Sequence, residues 1–377
     1  MIKQARNAEY TKQYNRKLVL KLLRSAPMSR ADLARQLKVT RATTTLIIDE
    51  FSNEGLVEER PRETTQMGRT PLLLYLRPGM KYAAGVYLNR HGCQVGIVDL
   101  CGKTVVQEQV LFDMQQNKLN VLADTLRRMA KQADIPWEKI VGVGVSAPGP
   151  LDGEEGRILN PPRFDLWHNT QVSSVLERSL QLPVYLENNA CCLARYNQGK
   201  PEAGNSQNFM LLLVDSGIGS GVISGGKLMK GAKYFTAELG HTSIDYRGKL
   251  CACGNVGCLE AYAAIPNVLR DTGFESWKAV MDALGTDPRA RELVELEAEY
   301  LATGICNMSN IVSMDRVLLA GDLLYGVEVL APILEEKVNQ RSLRRAVLPI
   351  SVCPACVGKE SQVQAAAEVA FARFLMV

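Results

Sequence analysis

GHTSIDYRGKLCACGNVGCLE, residues 240–260, places His241, Cys251, Cys253 and Cys258 within eighteen residues of one another. Three thiolates and one imidazole are the soft donor set of a tetrahedral Zn2+, which holds them at about 2.0 to 2.3 Å and leaves no open position for a reactive water. The spacing therefore predicts a closed, structural zinc site. Gly254 and Gly257 supply the tight backbone that such a knuckle requires. A disulfide is disfavoured, because Cys251 and Cys253 are too close in sequence to bridge without distortion.

The knuckle lies in a chain of glycine-punctuated apolar runs. Met210 to Val214 leads into Asp215-Ser216-Gly217-Ile218-Gly219-Ser220-Gly221, Val141 to Val145 ends in Ser146-Ala147-Pro148-Gly149, and Val184 to Leu186 is another such run. Short apolar runs bounded by turn residues read as buried strands, and their alternation with helical stretches predicts a layered α/β body. Tyr82 to Val86 and Gln94 to Val98 alternate as a strand hairpin. The loop from Gly217 to Gly221 can be a turn of the fold or a phosphate seat. Asp215 beside it adds negative charge and favours the turn.

The amino-terminal stretch has a different character. Tyr14, Leu18, Val19, Leu22 and Leu23 recur at helical spacing up to Ala26-Pro27. Ser29 and Asp32 resemble a capping box for a second helix, with Leu33, Ala34 and Leu37 as its buried stripe. Thr40 can cap a third helix whose Ala42, Ile47 and Phe51 point inward and whose Arg41, Thr43, Thr44 and Thr45 occupy exposed first turns. Hydroxyls and a guanidinium at that end suit base-edge and phosphate contacts in a major groove, so the pattern is a helix-turn-helix. Gly55-Leu56-Val57 opens a strand and Leu72 to Leu76 returns it. Arg60, Arg62, Arg69 and the Gly68-Arg69-Thr70-Pro71 turn then form a basic wing tip. Arg77-Pro78-Gly79 marks the junction, dividing the chain into residues 1–78 and 79–377.

Charge supports that division. Residues 1–48 carry eleven Lys and Arg against two acids, a net of +9, while the whole 377-residue chain is only +4 and the remainder therefore −5. Basic charge gathered on one small module is the footprint of a polyanion binder, whereas a docking module for protein has no need of it. A hydrophobic content of 46% with 22% charge indicates a folded protein. The absence of a long apolar run and of a secretion signal in MIKQARNAEYTKQYNRK predicts a cytoplasmic protein without membrane insertion. Most of the ten cysteines are then expected as reduced thiols, with Cys191 and Cys192 in packing roles; Cys353-Pro354-Ala355-Cys356 has redox spacing but no thioredoxin-like surroundings.

Taken together, the winged helix-turn-helix, VDSGIGSGVI, Ala237-Glu238-Leu239-Gly240-His241 and CACGNVGCLE resemble the ROK family of repressors, open reading frames and kinases, in its xylose-repressor and N-acetylglucosamine-repressor branch. The resemblance spans essentially the whole chain. It implies a winged helix-turn-helix over 1–78 and, over 79–377, a two-lobed actin-like or hexokinase-like (ribonuclease H-like) sugar-kinase-type body, assembled as a homodimer or homotetramer. By the same resemblance Gly149, Asn188, Asn189, Glu238, His241 and Glu260 correspond to the groups around a sugar. Glu238 and Glu260 can touch the ligand or only brace the zinc ligands. Asn160 and Trp167 lie in a segment that can approach the cleft.

Three departures from the family's kinases stand out. Their E-N-D segment reads Glu187-Asn188-Asn189 here, and an amide has no useful basicity for removing a hydroxyl proton. The first hairpin reads Gly85-Val86-Tyr87-Leu88-Asn89-Arg90, with bulky Tyr87 and Leu88 where bare backbone should cradle phosphate, and Gly321-Asp322 offers one glycine where kinases commonly have more. The expected function is a sugar-controlled transcriptional regulator, a repressor, gripping an inverted-repeat operator without phosphoryl transfer. The alternatives are an active sugar kinase, a regulator controlled by a sugar-transport protein instead of free sugar, and an architectural DNA-binding protein without effector.

Overall fold

The computed structural model describes residues 8–61, 72–89, 92–112, 117–162 and 164–375. Helices α1 (Ala8–Ser25), α2 (Arg30–Leu37) and α3 (Arg41–Asn53) precede a two-stranded antiparallel sheet of β1 (Val57–Pro61) and β2 (Leu72–Leu76). The capping residues act as the sequence suggests. Ser29 Oγ accepts from Asp32 N at 3.1 Å and Thr40 Oγ1 accepts from Thr43 N at 3.1 Å, satisfying helix-end donors. Arg62, Arg69 and the Gly68–Pro71 turn lie outside the described residues.

Ile47 and Phe51 face inward in α3 as expected, whereas Ala42 does not. Thr44, Ile47, Ile48 and Phe51 form its buried stripe, whereas Ala42 is exposed. Thr44 tolerates burial because its hydroxyl donates to the Thr40 carbonyl at 3.3 Å.

The body contains two sheets with the same strand order. The first is built from β3 (Tyr82–Asn89), β4 (Gly92–Asp99), β5 (Thr104–Leu111), β6 (Ile140–Ala147) and β10 (Val184–Asn188). Strands β3 to β5 form an antiparallel meander, after which β6 pairs parallel to β3 and β10 parallel to β6. Helix α4 (Lys118–Gln132) follows β5, the two-residue strands β7 (Leu151–Asp152), β8 (Arg157–Ile158) and β9 (Thr170–Gln171) follow β6, and α5 (Ser173–Leu180) precedes β10.

After α6 (Asn189–Asn197), the second lobe repeats the plan with β11 (Phe209–Val214), β12 (Ile218–Ser224), β13 (Lys227–Leu228), β14 (Arg316–Gly321) and β15 (Ser351–Pro354), ordered β13-β12-β11-β14-β15. Short helices α7 (Glu260–Ala263), α8 (Ile265–Val268) and α9 (Trp277–Asp282), then α10 (Pro288–Ile311) and α11 (Val327–Arg341), cover this sheet. The repeated order, a meander followed by two parallel strands, is the two-lobed kinase-type architecture that the resemblance implies. The final helix, α12 (Ser361–Phe374), follows the second lobe but packs on the first sheet.

Glycine makes that last contact possible. A Cβ on Gly85 would sit 2.1 Å from the Val363 carbonyl and one on Gly144 would sit 1.8 Å from that of Ala366, so only bare backbone admits the helix. The other side of α12 faces the amino-terminal module: Val19, Leu23, Phe51 and Leu76 share one apolar cluster with Ala83, Val98, Ala367 and Phe371. Among the described residues no helix is long and apolar enough to cross a membrane.

Candidate functional site

The knuckle folds back on itself through backbone bonds. Ile244 N donates to the Gly257 carbonyl at 2.8 Å, Gly257 N to Lys249 O at 2.7 Å and Cys251 N to Asn255 O at 2.9 Å. Gly257 has φ +74°, and a Cβ there would lie 1.7 Å from Asp245 O, which excludes any other residue.

This folding gathers His241, Cys251, Cys253 and Cys258 so that their donor atoms all lie within 4.8 Å of one another. Cys253 Sγ is 3.7 Å from Cys258 Sγ and Cys251 Sγ is 3.8 Å from His241 Nδ1. A tetrahedron with arms of about 2.3 Å has edges of about 3.8 Å, so the set fits Zn2+ in size as well as in donor type. Burial pushes the Cys258 thiol up to about 12, and the neighbouring Cys253 and Cys251 sulfurs push it the same way. Three thiolates this close need a cation to offset their repulsion.

The knuckle borders a cleft of about 1370 Å³ between the lobes, into which Gly149, Asn188, Asn189, Glu238, His241 and Glu260 all converge. Their freedom to bind is unequal. Asn188 caps α6, its Oδ1 accepting from Ala190 N at 2.9 Å and Cys191 N at 3.4 Å, which leaves its Nδ2 to donate. That Nδ2 would lie 3.2 Å from a Cβ on Gly149, so glycine keeps the approach open. Asn189 Oδ1 accepts from Ala190 N at 2.8 Å. One Glu260 oxygen accepts from Ile218 N at 2.8 Å and so fastens the glycine loop. Burial pushes the Glu238 carboxyl above the ordinary carboxylate range; His241 opposes this and the Glu260 charge adds to it. Asn160 lines the cleft, whereas Trp167 is fully buried in the first lobe, stacked near Phe164, and does not reach it.

The first hairpin borders the cleft with Tyr87, Leu88 and Asn89, and Leu88 is also packed into the first-lobe core. Burial and the Asp215 charge push the Tyr87 phenol up to about 12, which places that ring in the field of the second lobe's loop. Asp215 Oδ1 in turn accepts from Asp322 N at 3.0 Å, so the carboxylate ties the loop after β11 to the turn after β14. Cys191 and Cys192 are buried packing residues.

In the amino-terminal module, Arg41 is exposed and Thr43 and Thr45 are half-buried, but Thr44 is wholly buried and unavailable to an outside partner. That corrects the assignment of Thr44 to the contact surface. Leu46, not singled out from sequence, is 67% exposed on the same helix. The basic excess is partly internal: Arg16 pairs with Glu50 at 2.5 Å and with Glu54 at 2.7 Å, and Arg30 pairs with Asp49 at 2.8 Å and with Glu59 at 2.6 Å. Sequence reading also passed over Lys230, Lys233, Tyr234 and Arg373, because residues of an aperiodic loop and of a distant helix carry no common signal.

The ROK family model matches residues 83–372. A xylose repressor from Caldicellulosiruptor bescii is 29% identical over 359 residues, covering 89% of this chain and 90% of the relative. The crystal structure of a ROK family transcriptional regulator, a homolog of the E. coli MLC protein, superposes with a TM-score of 0.81 at 22% identity, covering 97% of this chain and 98% of that one. The ROK hexokinase from Thermus thermophilus superposes with a TM-score of 0.68 at 25% identity, covering 78% of this chain and 99% of its own. With the repeated sheets, the interlobe cleft and a family match spanning the body, this chain belongs to the ROK family.

Proposed function

We propose that this chain is a sugar-responsive transcriptional repressor, in which residues 1–78 read DNA and residues 79–377 bind the effector and associate with further copies as a homodimer or homotetramer. One observation carries the reading: a capped recognition helix shares a continuous apolar core with a body whose cleft bears Asn189 at the position expected for a proton acceptor. The name of the xylose repressor relative, which aligns over nearly its full length, supports it.

On DNA, Arg41, Thr43 and Thr45 present donors to base edges and phosphates, and exposed Leu46 offers apolar contact to a thymine methyl. Arg62 and Arg69 belong to the wing and would lie along the backbone or minor groove. Two such modules need recognition helices about 34 Å apart, or a multiple, to match an inverted-repeat operator.

In the cleft, Glu238 and the second oxygen of Glu260 accept from sugar hydroxyls, Asn188 Nδ2 and His241 donate, and Asn189 adds an amide. Asn189 stands where the resemblance places the kinases' proton acceptor, and its amide has no useful basicity, so the cleft orients a sugar or sugar derivative without phosphoryl transfer. His241, Cys251, Cys253 and Cys258 would hold Zn2+, which supplies a tetrahedral cross-link when bound and no reactive centre. A tenfold preference of the effector for one lobe arrangement shifts that equilibrium by about 1.4 kcal/mol, within reach of one or two hydrogen bonds.

The test pairs two assays on zinc-loaded protein. Operator-bearing duplex, selected by the protein from a random library, should be bound and then released by a member of a sugar panel. ATP with the same sugars should yield no sugar phosphate. Ordinary kinase turnover would contradict the reading, and operator release only by a transport protein would move the effector from sugar to protein.

A further inference from the structure

The loop between β13 and the Leu239–His241 turn belongs to the second lobe by connectivity, yet it is tied to the first at three points. Lys230 Nζ donates at 2.5 Å to Glu187, a buried residue in β10. Lys233 Nζ donates to Asp152 of β7 at 2.8 Å. The Arg373 guanidinium of α12 donates to the Tyr234 hydroxyl. The Tyr234 ring lies against Gly153 so closely that a Cβ there would fall 1.7 Å from a ring carbon. Lys233, Tyr234 and Ala237 hold φ values of 52°, 68° and 55°, a region that residues with a Cβ keep only where their surroundings impose it. Four residues after Tyr234 the same loop delivers Glu238 to the cleft.

Helix α12 joins this loop to the DNA-binding module. Arg24 of α1 donates to Glu368 through Nη1 at 3.1 Å and through Nη2, donates from Nε to the Leu100 carbonyl at 2.8 Å, and lies 4.4 Å from the centre of the Phe371 ring. At about 100° per residue, position 373 is about 140° around the helix from 368, so α12 is gripped on two separate faces. Its seat on Gly85 and Gly144 packs it backbone-to-backbone on the first sheet. Beyond Arg24, α1 holds α3 through the Arg16–Glu50 pair.

We infer that the Tyr234–Arg373 bond and the Arg24–Glu368 pair form one lever, positioning residues that carry the state of the cleft through α12 to the recognition helix. The inference rests on the sugar-repressor reading. A ligand that draws on Glu238 displaces the loop leading to it, and the loop has a hydrogen bond to α12. The helix, packed against its sheet, then carries α1 and its partner α3. Intermediacy in space is not coupling by itself, so the lever is judged by a response that contacts alone do not produce.

The experiment uses full-length, zinc-loaded protein with the library-selected operator duplex in fluorescence anisotropy, titrated with D-xylose, D-glucose, N-acetylglucosamine and the 6-phosphates of the last two. Arg373→Met removes the guanidinium from a residue outside the cleft, and Tyr234→Phe removes only a hydroxyl should the first variant fold poorly. The lever predicts that Arg373→Met changes sugar affinity and unliganded operator affinity by no more than about twofold, while the sugar-induced change in operator affinity falls from about tenfold to below about threefold. An unchanged sugar-induced ratio in both variants overturns it. If wild-type protein binds its operator but ignores every sugar, the sugar reading fails and the lever is judged separately by a double-mutant cycle of Arg24→Met and Arg373→Met on operator affinity. Effects that depart from additivity by about threefold or more support it, and additive effects overturn it.

Discussion

The Glu260 carboxylate accepts a hydrogen bond from the Ile218 amide at 2.8 Å, so the residue two positions after the last cysteine of the knuckle also fixes the glycine loop of the second lobe. Metal binding and the cleft are thereby joined through a few atoms. Cys253→Ser is expected to release zinc, lower stability by about 2 kcal/mol or more, and weaken effector binding through the shifted Glu260 and His241. Metal content by atomic absorption, thermal melting and calorimetry check this. Full zinc retention would remove Cys253 from the ligand set.

Thr44 and Arg41 separate two roles that sequence had merged. Arg41→Ala should weaken operator binding by about 1 to 3 kcal/mol while leaving the melting temperature near wild type, because the side chain is exposed. Thr44→Ala should do the reverse, costing about 1 kcal/mol of stability for a buried hydroxyl that bonds the Thr40 carbonyl. Footprints and thermal melts of both variants decide it. Unchanged footprints in Arg41→Ala and Thr45→Ala together would take α3 out of the groove.

Restoring the acid alone should not restore chemistry. Asn189→Asp supplies a carboxylate, but Tyr87 still faces the cleft beside the Asp215 loop, so phosphoryl transfer from ATP should stay at background. A coupled ADP-release assay measures this, and brisk turnover would show that the hairpin is competent for nucleotide.

Glu297 should make one contribution to stability that favours acid pH. It is fully buried in α10, neither carboxylate oxygen has a hydrogen-bond partner, and burial pushes its carboxyl well above the ordinary range. A carboxyl whose folded pKa exceeds its unfolded one contributes stability that is fully present below the unfolded value and is lost as pH rises through the folded value. Glu297→Gln should therefore raise the melting temperature at neutral pH relative to wild type and lose that advantage near pH 4. An equal effect at both pH values would show that Glu297 does not bind a proton on folding.

The parts of the fold and site legible in sequence were those written in local chemistry. The knuckle spacing, the Ser29 and Thr40 caps and the glycine-bounded apolar runs each act within a few residues, and the structure bears them out as knuckle, helix starts and strands. On α3 the inward Ile47 and Phe51 were legible, but Thr44 was not, because a threonine that satisfies its hydroxyl on the preceding turn looks polar in sequence and behaves as apolar in packing. Trp167 escaped for the opposite reason: an aromatic in a segment with two prolines fits a cleft wall as readily as a core. The pairing of Arg16 and Arg30 with acids of α3 and β1, and the ties from Lys230, Lys233 and Tyr234 to the first lobe, depend on long-range packing that no spacing records.

The most direct test of the whole account is operator binding measured by anisotropy with and without sugar, in parallel with phosphate transfer from ATP, on one zinc-loaded preparation. The account predicts tight, sequence-selective binding that a sugar relieves by about tenfold, with no sugar phosphate formed. Duplex binding without sequence preference, or sugar phosphorylation at ordinary enzymatic rates, would contradict it.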